Sequence, residues 1–158
     1  MAVYSGSAGI AQLREKIKQK SKQLVGESAE KVAIFMVESS PLGVEYYRSK
    51  QGLIQNDVGD FKNSWAVGLG DSETITRPAD AAGTAAVADA MSMSNNYNFE
   101  DSAFVTNNVE HADNVDHLGW MPVPEYGWKG KGSYSVMSKG TPTAKAILEA
   151  VAEKVSRL

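Results

Sequence analysis

The residues best suited to chemistry fall in one stretch, "HADNVDH", which holds both histidines of the chain, His111 and His117, with Asp113 and Asp116 beside them. Two imidazoles and a carboxylate can hold a catalytic metal with an open coordination position. The spacing argues against it. Ligands on one helix face sit four residues apart, whereas a gap of six turns the rings by about 240°. On a strand the pair would share a face but stand about 20 Å apart. Only a folded-back loop brings them together, so the plain reading is a polar loop with solvated histidines. Either histidine titrates near neutral pH, which allows a weak pH effect on assembly.

Other constellations are weaker. "GWKGKGSY" resembles a phosphate loop in composition only, because Lys131 is followed by Gly132 and not by Ser or Thr. Its glycines suit a backbone that moulds to a neighbour. No serine lies in a G-x-S-x-G elbow. The acidic pairs Glu100–Asp101 and Asp57–Asp60 read as solvated loop residues. The run "REKIKQKSKQ" places Lys16, Lys18, Lys20 and Lys22 around much of a helix circumference, which is a solvated helix end or a contact to phosphate or to an acidic neighbouring subunit.

Aromatic residues give a stronger signal. Trp120, Tyr126, Trp128 and Tyr134 lie in an irregular segment with Pro122 and Pro124. Aromatics framed by glycine and proline mark a surface for a partner or a sister subunit, or else a loop packed on its own sheet. These four are the candidate interface.

The elements that must carry this segment follow from periodicity. With 158 residues, 42% hydrophobic and 22% charged, one domain spanning 1–158 is expected. A net charge of −3 gives no case for wrapping nucleic acid. The lack of cysteine excludes disulfides and thiolate chemistry. No apolar run is long enough to span a membrane, and the N-terminus lacks the apolar core of a secretory signal.

Residues 1–8 read as a mobile arm. Ile10, Leu13, Ile17, Leu24, Ser28, Val32 and Phe35 recur at helical steps and predict a long helix over 9–37, with Gly26 as a place where it can bend. Pro41 ends it. Residues 38–140 are expected to hold a small sheet, a short helix and the aromatic loop. "VEYYRSKQGLIQNDVGD" reads as a connection with one short strand or turn, "FKNSWAVGLG" as a strand and glycine turn around Trp65 and Val67, and "ETITR" as a strand cut off by Pro78. "ADAAGTAAVADAMSM" is a second helix and "SAFVTNN" a strand. Thr141 and Pro142 suit the N-cap and first position of a final helix over 141–158, with an apolar stripe of Ala144, Ile147, Leu148, Val151 and Val155. The class is α+β: long terminal helices around a small antiparallel sheet.

The order of these segments resembles a known family. Gly59, Phe61, Lys62, Asn63, Ser64 and Trp65, followed by "FVTNNVEHADNVDHLGW", are similar to the pattern of phage tail-completion (neck, head–tail joining) proteins of long-tailed phages. His111-Ala112 stands where that family commonly has Tyr-Ala, and Val44–Val58 is longer than its usual connection. The resemblance implies a virion protein made in the bacterial cytoplasm. It implies a ring, generally hexameric, that joins the stopper or head-completion protein and tail terminator to the tail tube. Double-stranded DNA would pass through without sequence readout. It supplies no catalytic residue, metal or cofactor, so the expectation is a non-enzyme. A mildly acidic chain suits a channel that must not grip DNA. The alternatives are a tail terminator, or a small metal-dependent hydrolase using His111, Asp113 and His117.

Overall fold

A computed structural model describes residues 6–40, 59–98, 101–109, 112 and 136–157. The element order is α1 (Gly6–Ser39), a short turn of helix α2 (Asp60–Asn63), β1 (Trp65–Leu69), α3 (Thr84–Asn96), β2 (Ala103–Asn107) and α4 (Val136–Ser156). The class is α+β, with helices packed on a two-stranded antiparallel sheet.

Helix α1 is the spine. Its 34 residues span about 51 Å, and it passes through Gly26 without a break. Helix α3 runs antiparallel to it: Gly83 lies beside Val37 at one end, and Lys22 Nζ donates to the Asn95 carbonyl at the other. Ala29 and Ala33 of α1 and Ala86 and Ala90 of α3 are all buried. Four alanines at one interface let the two backbones approach closely, because no long side chain keeps them apart. Helix α4 also runs antiparallel to α1. A side chain at Gly140 would collide with Met36 Sδ, and Lys154 binds Glu27.

The sheet obeys strict alternation. Trp65 pairs with Asn107, Val67 with Val105 and Leu69 with Ala103 on the inner face; Ala66 pairs with Thr106 and Gly68 with Phe104 on the outer face. The inner face meets α1 in two joined clusters. Met36, Val37, Phe61, Trp65, Ala86 and Val109 form one. Ala29, Ala33, Val67 and Ala90 form the other.

Several expectations change. The long helix begins at Gly6, inside the segment read as a mobile arm, and ends at Ser39. Ile10, Leu13 and Ile17 belong to its apolar stripe but are exposed, because periodicity marks a face without saying how far the rest of the chain reaches along it. "ETITR" forms no strand. Its polar groups go to side chains instead: Arg77 N donates to Ser64 Oγ (3.1 Å), and the Glu73 carbonyl accepts from Thr106 Oγ1 (3.0 Å). The last helix starts at Val136, so Thr141 is not its cap and Pro142 lies inside it. An interior proline removes one backbone donor and crowds the carbonyl four residues earlier, yet the helix continues through Pro142. Of its stripe, Val151 and Val155 are buried, whereas Leu148 is exposed. The short strand or turn expected near Val44–Val58 lies outside the described residues.

Candidate functional site

The region that organises the molecule is the junction of α1, α2, β1 and β2. It is built around "GDFKNSW". Gly59 adopts φ 92°, a left-handed conformation that a side chain resists. A Cβ there would also run into the backbone carbonyl of Asp80. This turn starts α2, and Asn63 N closes it on the Gly59 carbonyl at 2.8 Å. One turn of helix then delivers Phe61 and Trp65 to the core, where their rings meet edge-on at 5.8 Å.

Several polar residues of the junction hold a neighbouring segment. Trp65 Nε1 donates to Ser40 Oγ at 2.7 Å, and Ser40 Oγ donates to the Met36 carbonyl at 2.6 Å. Asn63 Nδ2 donates to the Pro78 carbonyl at 2.9 Å. Its Oδ1 accepts from Ala86 N at 3.1 Å, so one amide ties α2 to both the 71–80 segment and α3. Asn107 Nδ2 reaches back to the Phe61 carbonyl at 2.7 Å. Its Oδ1 accepts from Val109 N at 3.3 Å.

Arg77 completes the frame. Its guanidinium donates to the Trp65 carbonyl (2.8 Å) and the Asn63 carbonyl (3.2 Å). It also pairs with Asp89 of α3 at 2.9 Å, with both side chains largely buried. A planar cation with several donors suits three acceptors from three segments. Sequence reading missed this pair, since no periodicity links Arg77 in an irregular segment to Asp89 on a helix. Asn63 and Asn107 stood in the quoted motifs, but their bonds were not legible there.

Two further carboxylates have clear work. Asp80 accepts from Ala82 N (2.9 Å) and Thr84 N (2.8 Å) at the start of α3. These backbone donors hold its carboxyl below the usual range. Glu27 binds Lys154 at 2.9 Å and Lys31 at 3.0 Å. The hydrogen bond from Lys154 and then that from Lys31 lower its pKa.

The sequence-derived site residues Trp120, Tyr126, Trp128 and Tyr134, and the loop residues His111, Asp113, Asp116 and His117, lie outside the described residues. What the structure does place is the point from which that loop departs. Val109 is buried in the same cluster as Trp65, and Ala112 packs against it. Ala112 N donates to the Val109 carbonyl at 2.9 Å. Val109 and Ala112 thus form a fixed corner at the end of β2.

The arrangement is suited to holding shape. Arg77, Asp89, Asn63, Ser40 and Asn107 engage one another or the backbone. Among the described residues no cluster of three or more histidines or carboxylates is placed to bind a metal, and no helix is long and apolar enough to cross a membrane. No protein-family model, curated protein or solved structure matches this chain.

Proposed function

We propose that the chain is a structural subunit of a phage virion neck, a tail-completion protein that forms a ring between the head connector and the tail. One observation carries the reading. The described residues through which the chain resembles that family, Gly59 to Trp65 and Asn107, fold into one unit. Gly59 starts the turn, Phe61 and Trp65 meet edge-on, Trp65 pairs with Asn107 across the sheet, and Asn107 bonds back to Phe61. Motifs some forty residues apart therefore report one junction, and Val109 and Ala112 pack into the same cluster.

A ring subunit needs a stiff spine, a fixed joint and a surface that fits a neighbour. Helix α1, the Asn63–Arg77 junction and the Trp120–Tyr134 segment would fill these roles. The stopper, terminator and tail tube proteins would be its neighbours, and DNA would pass through its lumen. Deleting the gene from the phage tests this. The expected outcome is filled heads and complete tails that fail to join, restored by the gene supplied in trans. Normal particles from the deletion would reject it.

A further inference from the structure

The N-terminal part of α1 extends past the helices that pack on it. Helix α4 runs antiparallel, with Lys154 level with Glu27, and it ends at Ser156. Helix α3 ends at Asn96, level with Lys22. Ile10, Leu13 and Ile17 lie beyond both ends, and they are 68%, 42% and 49% exposed. At about 100° per residue they form one line with Leu24 and Phe35, so they continue the face on which α4 packs.

That bare stripe is flanked by cations. Lys16 and Lys20 fall on one side and Arg14 and Lys18 on the other. From Arg14 to Lys22 the only carboxylate is Glu15. The whole chain carries −3, so the rest of the chain, taken together, is more acidic than the whole. The charge that complements the helix is therefore found on the chain itself. The segment that folds across the outer strand face leaves Ala66 buried beneath it, and its own surface offers that charge beside apolar groups. Asp71 is exposed and Glu73 partly so; Ile75 of the same segment is 36% exposed and Phe104 of β2 39%.

We infer that the projecting end of α1 docks on the surface that this segment and Phe104 present on a second copy of this chain, with Leu13 and Ile17 against Phe104 and Ile75 and the flanking lysines against Asp71 and Glu73. The contact is heterologous: each copy gives a helix and receives one, which leads to a ring or an open chain. It rests on the ring-subunit reading for its repeat, and it names the two faces that such a repeat would use. Apolar contact supplies the association, and the opposite charges fix its direction and speed it.

The chain has no cysteine, so disulfide trapping is clean. Leu13→Cys and Phe104→Cys proteins, full length and mixed in equal amounts, are oxidised mildly and run without reductant. The expected result is a mixed dimer, with each variant alone staying monomeric. The mixed dimer forms severalfold more slowly at high salt and in a Lys16→Glu/Lys20→Glu background. Its rate recovers when the partner carries Asp71→Lys/Glu73→Lys. Circular dichroism confirms that each variant is folded; if a charge-reversed chain is not, the cysteine pair alone decides. Absence of the mixed dimer, like-with-like dimers only, or trapping that needs added double-stranded DNA would overturn the contact. The last outcome would assign the cations to phosphate. A virion neck that contains the chain with these faces apart overturns this contact and leaves the ring reading standing. Absence of the chain from virions overturns the ring reading, whatever the trapping shows.

Discussion

Trp65 and Ser40 are joined by a 2.7 Å hydrogen bond from the indole Nε1 to the serine Oγ, inside the core and between the first strand and the end of the spine helix. Ser40 also closes the last turn of α1 through the Met36 carbonyl. Ser40→Ala leaves a buried indole donor unpaired, which costs about 1–3 kcal/mol. Trp65→Phe removes the donor with much of the ring kept, so the serine retains its bond to Met36 and the loss is mainly one of volume. Urea denaturation of the two variants and of the double variant measures the coupling. The double variant should be less destabilised than the sum of the two, because each change removes the same bond. Simple additivity would show that the bond contributes nothing.

Gly59 and Gly70 separate two costs of a side chain at positive φ. Both are left-handed, at 92° and 82°. Gly70 faces open space, whereas a Cβ at Gly59 meets the Asp80–Ala81 backbone. Gly70→Ala should cost about 1 kcal/mol from conformation alone. Gly59→Ala should cost clearly more, about 2–4 kcal/mol, because backbone must also move. Thermal melting compares them, and equal losses would contradict the close approach.

The Glu27 carboxylate links α1 to α4 through Lys154. Its pKa is lowered in the folded chain by the Lys154 and Lys31 hydrogen bonds. A depressed carboxylate contributes stability that is present above its unfolded value, about 4.3, and lost as pH falls through the folded value. Glu27→Gln should therefore melt at a lower temperature than the parent at neutral pH. The gap should close as the solution is acidified below the unfolded value. Added salt should narrow it too, since the pair is partly open to solvent. A gap that widens in acid would contradict this assignment.

Much of this fold was legible because local pattern and final packing agree. Trp65 and Val67 alternate and do face the core; the alanine-rich segment does form a helix, with its small residues against α1. The errors arise where a local pattern has a second solution. Thr74, Ile75 and Thr76 have strand character, yet the segment is tied to the sheet by Arg77 and by the Glu73 carbonyl rather than by a ladder. Ile10, Leu13 and Ile17 keep helical period where no helix among the described residues covers them. The junction was visible as residue types, but the two bonds of Asn63 and the Arg77–Asp89 pair join positions that share no period. The sequence from Trp120 to Tyr134 has no helical or strand period, so it gives composition without register.

Trp120→Ala and Trp128→Ala test whether that segment works as a surface. If these rings face a partner, either change should leave melting within a few degrees and reduce head–tail joining severalfold. Large melting losses with normal joining would place them in the core instead. His111→Tyr should be tolerated, as the family resemblance implies. Loss of infectious particles from that single change would restore a chemical role for the histidine.

Everything depends on the chain working by shape within the particle. A density map of the neck of purified virions, with the chain identified by mass spectrometry of the same particles, tests that most directly. The expected result is a closed ring of copies between connector and tail, with DNA in its lumen. Finished, infectious particles that lack the chain would contradict the account.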